Sequence, residues 1–114
     1  IALQRGEIVK FSFGAGRNKK APRLGVVLSP MALNAFNAVL VCPIAQSGLS
    51  ARAHGFSVPL RCNEANLEGY VLCHRIATIG LDGAVISRVG TLPRDVLEDV
   101  LARVRSIFEC DHRQ

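Results

Sequence analysis

The sequence predicts a mainly β domain of the α+β class, in which a small, strongly bent antiparallel sheet or barrel ends in one C-terminal helix. Short apolar runs are separated by Gly, Pro, Asn and Ser, which is typical of antiparallel strands joined by turns. From Pro93 to Phe108 the apolar period changes to 3.6, which indicates an amphipathic helix. Because the chain has 114 residues, 49% of them hydrophobic, we expect one domain over residues 1–114 with its own core.

The predicted strands follow one another with short connections. The first, Gly6–Phe13, alternates its residues between two faces with a period of two. Five more are predicted from short apolar runs at Leu24–Leu28, Val39–Cys42, Phe56–Leu60, Gly69–Leu72 (with a continuation to Ile76 left open) and Ala84–Val89. Pro59 favours an edge position for its strand, since proline donates no ladder hydrogen bond. Pro43 is expected to end the third strand, Ala45–Gly55 to form a loop, and Met31–Asn37 to form a helical turn.

The last element is predicted to be a surface helix packed against the sheet. Its apolar stripe recurs every three or four residues, at Val96, Leu97, Val100, Leu101, Val104 and Phe108. Pro93 suits the first helical turn, and three acidic residues lie near the positive N-terminal end, namely Asp95, Glu98 and Asp99. We therefore assign this helix a structural role rather than a chemical one.

The cysteine pattern favours buried, reduced thiols. Cys42, Cys62, Cys73 and Cys110 are not spaced as CxxC pairs, so a zinc site is not expected. Reduced thiols predict a cytoplasmic protein. The sequence has no run of about 18 apolar residues that would cross a membrane, and its first residues lead into a strand rather than a signal peptide. No metal cluster, phosphate-binding loop or cofactor motif is visible, so no cofactor is expected.

Charge is divided unevenly along the chain. Residues 1–63 carry eight basic side chains and one acidic side chain, a net charge of +7, and residues 8–63 contain no Asp or Glu. Residues 64–114 carry six basic and eight acidic side chains, a net charge of −2. A basic half without acids favours a surface that meets a polyanion. The alternative, in which scattered Arg and Lys only solvate loops, has equal weight on charge alone.

The basic segment Arg17–Ser29 contains the first candidate site residue, Arg23, at the start of a predicted buried strand. A strand fixes the stem of such an arginine and leaves its guanidinium at the rim, where it suits bidentate binding of a phosphate. The alternative is an arginine that caps the strand end or pairs with Glu64 or Glu68. From the residues alone, we weigh the two interpretations equally.

The polar segment Pro43–Phe56 is the second candidate region, because its first residues start from a strand. It offers hydrogen-bonding groups, a cation and a histidine, namely Gln46, Ser47, Ser50, Arg52 and His54. An ordinary surface loop is the alternative. No Asp precedes Asp82, so a Ser/His/Asp triad is not visible, whereas a ribonuclease site that joins His54 to His74 stays open. An aromatic content of 5% disfavours platforms for base stacking.

Several short motifs recur in a specific order along residues 4–109. The segments that carry the likeness are Arg5–Val9 (similar to RGDIV), Arg23–Ser29 (RPAxVLS), Val39–Gln46 (xLVxPIT), Arg52–Leu60 (RxxGFxVxL), Gly69–Leu72 (GVVL) and Arg88–Phe108 (a final strand and helix). Taken together, these motifs resemble the MazF/PemK toxins of bacterial toxin–antitoxin pairs, most closely the ChpB-like branch.

The resemblance implies a small SH3-like barrel of five to seven strands with a C-terminal helix, and a homodimer. It also implies a growth-inhibiting mRNA interferase, a metal-independent endoribonuclease that cuts single-stranded RNA at short sequences. The products are a 2′,3′-cyclic phosphate and a 5′-hydroxyl end. Of the family's catalytic pair, the arginine corresponds to Arg23, which would stabilise the charge on the pentacoordinate phosphate. The threonine or serine corresponds to Ala45.

Ala45 is the main departure from the family pattern, because alanine has no hydroxyl. A preorganised donor at a developing oxyanion is worth about 10²–10³ in rate, so its loss should matter. Three explanations stay open. Ser47 or Gln46 supplies the donor, or the chain is a natural non-cleaving relative, or alanine was introduced to tame a toxin.

The resemblance also implies two partners besides a second copy of the chain. The first is single-stranded RNA, for which the predicted contact residues are Arg17, Lys19, Lys20, Gln46, Arg52, His54, His74 and Arg75. The second is an acidic cognate antitoxin, whose disordered tail would cross the basic loops. The pair His74-Arg75 replaces a polar Asp/Asn-Gln pair of the family, so the family's cleavage sequences are not transferred to this chain.

Two other functions are kept as alternatives. A non-catalytic member of the same fold would bind RNA or the antitoxin without cutting. A small-barrel adaptor that acts on a gyrase-like protein, as in a structurally related toxin family, is favoured by no feature of this sequence.

Overall fold

The computed structural model describes residues 3–13, 22–46, 55–64, 66–82 and 84–109. Over these ranges the elements in chain order are β1 Glu7–Phe13, β2 Arg23–Val27, α1 Met31–Asn34, β3 Ala38–Ala45, β4 Ser57–Cys62, β5 Leu67–Leu72, β6 Ala77–Gly80, β7 Ala84–Thr91 and α2 Arg94–Glu109. The predicted class, mainly β with a C-terminal helix, is confirmed.

The strands form a curled antiparallel sheet in the order β4-β5-β3-β2-β1-β7. Strand β3 lies at its centre and has partners on both edges. One edge pairs with β2. The other edge is divided, because residues 38–41 pair with β6 and residues 44–45 pair with β5. Sharing one edge between two strands bends the sheet into a half-barrel, and the end of β3 lies where the two parts meet.

Strand β3 extends further than predicted, since it passes through Pro43 and ends at Ala45. The recorded pairs on its divided edge leave residues 42 and 43 between β6 and β5. A residue without an amide hydrogen fits at such a break in the ladder. The correction matters for the site, because Ala45 belongs to a strand rather than to the following loop.

Strand β6 is the second difference from the prediction. The sequence predicts a fifth strand over Gly69–Leu72 and leaves a continuation to Ile76 open, whereas β5 covers Leu67–Leu72 and a turn separates it from β6. The backbone N–H of Arg75 donates to the carbonyl of Leu72 at 3.1 Å in this turn. A strand of only four residues gives too little periodicity to be recognised. The edge position predicted from Pro59 is confirmed, because β4 is the terminal strand.

The sheet is apolar on both faces at its centre. One buried cluster includes Ile8, Val26 and Val71, and it is covered by the stripe of α2 from Val96 to Val104. The stripe does not extend to Phe108 as predicted, because this ring is 74% exposed in the last turn. A second cluster on the opposite face includes Val9, Val27 and Val41. No helix in the described ranges is long and apolar enough to cross a membrane.

A buried polar network ties the short helix α1 to the sheet. The Ser29 hydroxyl donates to Asn34 Oδ1 at 2.5 Å, and Asn34 Nδ2 donates to the carbonyl of Leu3 at 2.7 Å. The N–H of Leu40 donates to Ser29 Oγ at 3.0 Å. Because each buried polar group has a partner, the turn before β3 is held in one arrangement.

Three cysteines, Cys42, Cys62 and Cys73, are buried free thiols, as predicted, and Cys110 lies outside the described residues. Burial, together with the neighbouring Cys73, raises the pKa of Cys42 to about 12. Burial also raises the pKa of Cys73 to about 11, against a lowering contribution from Arg103. Both thiols therefore stay protonated and unreactive in the folded protein at neutral pH.

We expect the free energy of unfolding to fall as the pH rises from 9 toward 11. The ordinary thiol pKa is 9.0, so above that pH the unfolded chain loses protons that folded Cys42 and Cys73 retain. The folded state then binds more protons than the unfolded state, and its stability declines with pH. Urea titrations at several pH values measure this slope. A double variant, Cys42→Ala with Cys73→Ala, should flatten it, and an equal slope in both proteins would contradict the explanation.

Candidate functional site

One face of the sheet carries a row of side chains that crosses five adjacent strands. Register pairs join Phe11 to Arg23, Ala45 to Tyr70, and Tyr70 to Pro59. The recorded register of β2 with β3, continued by two residues, brings Arg23 opposite Ala45. Directly opposed residues in antiparallel strands share one face, so their side chains are neighbours. We call Phe11, Arg23, Ala45, Tyr70 and Pro59 the transverse row.

Arg23 is the first residue of β2, and its side chain is exposed at the end of that strand. The two carboxylates considered as its partners are engaged elsewhere. Glu68 pairs with Arg61 at 3.5 Å, and Glu64 accepts a hydrogen bond from the backbone N–H of Thr91 at 2.9 Å. This arrangement favours an arginine that is available to an external anion.

A cleft of about 620 Å³ opens beside Arg23 and Ala45, and we call it the Arg23 cleft. Arg75, in the turn after β5, and Thr78, in β6, also line it. The remaining described lining residues are apolar or glycine, and none is acidic. Two guanidinium groups above an apolar floor create a positive site in which attraction for an anion is stronger than in open water.

A second cleft, of about 530 Å³, adjoins the first at the end of β3, and we call it the Tyr70 cleft. Gln46, Arg61, Glu68 and Tyr70 are among its lining residues. Because Gln46 directly follows Ala45 in the chain, the end of β3 separates the two clefts.

Gly69 allows β5 to approach the end of β3 closely. A Cβ atom at this position would lie 2.7 Å from the carbonyl oxygen of Ala45 and 3.3 Å from Cα of Gln46. Both neighbours are backbone atoms and cannot move aside as a flexible side chain would. Because position 69 has no side chain, β5 can lie close to the end of β3, and Tyr70 can pair with Ala45.

His74 and Arg75 were both predicted to contact RNA, but the structure places their side chains in different surroundings. Arg75 lines the Arg23 cleft. His74 is exposed, and its ring lies beside that of Phe56, with 6.4 Å between the ring centroids and 47° between the planes. The structure therefore brings Arg75 together with Arg23, whereas His74 is not among the residues that line this cleft.

Seven candidate residues lie outside the described ranges, namely Arg17, Lys19, Lys20, Ser47, Ser50, Arg52 and His54. Their roles stay predictions. The site built from described residues therefore consists of Arg23, Ala45, Gln46 and Arg75, together with two residues that the sequence did not single out.

Those two residues are Tyr70 and Thr78. Tyr70 is the only tyrosine in the chain and stands at the second position of the GVVL-like motif, a signal that was present in the sequence. Thr78 lies in β6, which the sequence did not predict, so no pattern could have drawn attention to it. Tyr70 adds a hydroxyl to the lining of the Tyr70 cleft, and Thr78 adds one to the lining of the Arg23 cleft.

The site can bind a phosphodiester. Arg23 and Arg75 offer charge-assisted, bidentate donors to its nonbridging oxygens. The apolar floor of the Arg23 cleft, which includes Phe11 and Ile79, suits the flat face of a base. Over the described ranges, no three His, Cys, Asp or Glu side chains are grouped as a metal site requires.

Comparison with known proteins agrees with these features. Residues 4–108 match the family model described as PemK-like, MazF-like toxin of type II toxin–antitoxin systems. The chain is 37% identical over 110 residues to the endoribonuclease toxin ChpB of Escherichia coli K12, covering 94% of this chain and 95% of that protein. It is 29% identical over 109 residues to the endoribonuclease PemK of Escherichia coli, covering 93% of this chain and 82% of PemK.

Solved structures that contain MazF share the fold of this chain. The MazE–MazF crystal structure from Deinococcus radiodurans superposes with a TM-score of 0.81 at 21% identity, covering 97% of this chain and all of that chain. The strand order and the C-terminal helix therefore agree with the same family as the motifs around Arg23 and Ala45. The chain belongs to the PemK-like, MazF-like toxin family of type II toxin–antitoxin systems.

Proposed function

We propose that this protein is the toxin of a toxin–antitoxin pair and an endoribonuclease that cuts single-stranded RNA at short sequences without a metal ion. The observation that carries the proposal is the position of Arg23, beside Ala45, in a cleft with a second arginine and without an acidic residue among the described lining residues. Two relatives, ChpB and PemK, are named endoribonucleases, which supports the same reaction class.

The proposed reaction is an internal displacement at phosphorus. The 2′-oxygen of one nucleotide forms a bond to the neighbouring phosphorus, and the bond from phosphorus to the 5′-oxygen breaks. One proton leaves the 2′-hydroxyl and one proton is added to the 5′-oxygen, so no other reactant is consumed. Arg23 stabilises the charge that develops on the phosphate oxygens, where a preorganised donor has its largest effect. Arg75 helps to hold the substrate by a phosphate contact.

We expect both proposed partners to bind this protein through electrostatic attraction. RNA is held by the basic surface that residues 1–63 provide, with a net charge of +7. A cognate antitoxin with an acidic, disordered tail competes for the same surface. A structural relative, an endoribonuclease from a mycobacterial species, is described in complex with its cognate antitoxin. We also propose a homodimer that acts in the cytoplasm. Binding of the antitoxin tail that is unchanged between low and high salt would contradict the electrostatic part of this proposal.

A cleavage assay tests the proposed function. The protein and an Ala45→Thr variant are incubated with mixed-sequence RNA in the presence of a chelator, and the ends of the products are analysed. We expect short sequence-specific fragments that carry a 2′,3′-cyclic phosphate and a 5′-hydroxyl. If neither protein cleaves RNA under any salt condition, the endoribonuclease assignment is wrong.

Ala45 favours one second candidate function, a non-catalytic toxin relative that binds RNA or the antitoxin. The same assay separates the two functions. A protein that binds RNA in a salt-dependent manner but cleaves only after Ala45→Thr would support the binding function for the chain as it stands.

A further inference from the structure

Tyr70 is the neighbour, in the transverse row, of the residue that lacks the family's hydroxyl. It pairs with Ala45 across the β3–β5 ladder, while Arg23 lies on the other side of Ala45. Neighbouring strands are about 4.8 Å apart, so Arg23 and Tyr70 flank a single narrow position. Alanine puts only a methyl group between Arg23, which lines the Arg23 cleft, and Tyr70, which lines the Tyr70 cleft.

The phenol is long enough to extend past the methyl group of Ala45, its cross-strand neighbour. Opposed residues in an antiparallel pair have Cβ atoms about 4.5–5.5 Å apart, and a tyrosine ring extends its hydroxyl beyond that distance. The motif that resembles GVVL carries tyrosine in this chain at the position of its first valine. The chain thus lacks a hydroxyl at position 45 and has gained one on the residue directly opposite.

The hydroxyl of Tyr70 is also available to a ligand. Tyr70 is half-buried and lines the Tyr70 cleft. Within the described part of the chain, this hydroxyl makes no hydrogen bond, and no side-chain oxygen there is buried without a partner. The phenol oxygen therefore faces solvent, where it can donate its hydrogen to a phosphate oxygen.

We propose that the Tyr70 hydroxyl replaces the hydroxyl absent from Ala45 and donates a hydrogen bond to a nonbridging oxygen of the pentacoordinate phosphate. This inference rests on the proposed function. Tyr70 keeps its proton, so the bond changes at phosphorus and the two proton movements described above are unaltered. Arg23 approaches the same phosphate from the opposite side of Ala45. Such a donor is worth about 10²–10³ in rate because its effect is largest in the transition state.

The deciding variant is Tyr70→Phe, which removes only the hydroxyl and keeps the aromatic ring. We expect the cleavage rate at saturating RNA to fall by about 10²–10³-fold. Affinity for an RNA with a 2′-deoxy residue at the cleavage position should stay within about twofold, because the lost hydrogen bond forms mainly in the transition state. The melting temperature serves as the check on folding. Adding Ala45→Thr to Tyr70→Phe should restore most of the lost rate.

A further variant, Tyr70→Leu, separates hydrogen bonding from stacking of a base on the ring. If the role is hydrogen bonding, Tyr70→Leu and Tyr70→Phe lose similar rates. If Tyr70→Phe loses nothing and only Tyr70→Leu is impaired, the ring acts by stacking and the proposed donor role is wrong. Equal losses of rate and affinity in Tyr70→Phe would also overturn it, because they would mark a residue that only binds.

The result for the unaltered protein distinguishes failure of this inference from failure of the proposed function. If the protein cleaves RNA and Tyr70→Phe cleaves it equally fast, the function stands and the role of Tyr70 is overturned. If only Ala45→Thr cleaves, the reaction class stands, and Tyr70 does not replace the missing hydroxyl. If neither protein cleaves, the endoribonuclease assignment itself is wrong.

Discussion

Replacing Arg23 with alanine is expected to lower the rate of RNA cleavage by at least about 10²–10³-fold, with little change in folding stability. The side chain is exposed and leaves β2 at its first residue, so its removal creates no cavity. Its contribution is made where charge develops on the phosphate. Single-turnover cleavage of a short RNA, with the melting temperature measured in parallel, tests this expectation.

Two further variants sharpen the Arg23 experiment. Arg23→Lys keeps the charge but loses the planar, bidentate donor, so we expect a rate between those of the unaltered protein and Arg23→Ala. Arg94→Ala removes an exposed positive charge from α2, where Arg94 Nε lies 3.8 Å from Glu98 Oε1. This control should cleave at the normal rate. A similar loss in Arg94→Ala and Arg23→Ala would show that net charge, rather than position in the row, is responsible.

The substitution Gly69→Ala is expected to destabilise the fold by about 1–3 kcal/mol and to impair cleavage as well. The added Cβ would lie 2.7 Å from the carbonyl oxygen of Ala45, and the contact can be relieved only by separating β5 from β3. That movement would displace Tyr70 relative to Ala45 in the same step. Urea unfolding gives the stability, and the RNA assay gives the activity.

Gly80→Ala is the matched control for stability. Gly80 also lies in a strand, but a Cβ atom there would meet nothing within 4 Å. An exposed substitution of this kind changes stability by no more than about 0.5 kcal/mol. If the two alanine variants unfold at the same urea concentration, the close approach of β5 to β3 does not exclude a side chain at position 69.

Much of the fold could be predicted from the sequence because most elements have a clear period. The alternation from Gly6 to Phe13 and the 3.6-residue stripe of α2 are local patterns, and both elements form as expected. Two predictions were wrong because a local sequence pattern did not show the tertiary contacts of the residue concerned. Pro43 does not end β3, because the break in the ladder that accommodates it depends on β5 and β6. Phe108 continues the helical stripe in sequence yet is exposed.

The candidate site was predicted only in part. Arg23, Ala45 and Gln46 could be found because the motifs that contain them have a characteristic order and spacing. Their relation to Tyr70 and Thr78 could not, because it depends on the register between strands that are 25 or more residues apart. A shift of one residue in that register would turn each of these side chains to the opposite face.

The sequence by itself determined the fold class, the family, the basic character of residues 1–63 and the absence of a hydroxyl at position 45. Composition, periodicity and motif order are properties of the chain and need no coordinates. Only the tertiary structure decided that Arg75 faces the Arg23 cleft while His74 does not, and that Tyr70 stands opposite Ala45. The physical reason is that strand pairing and the turn between β5 and β6 select the face of each side chain, and that selection depends on contacts distant in sequence.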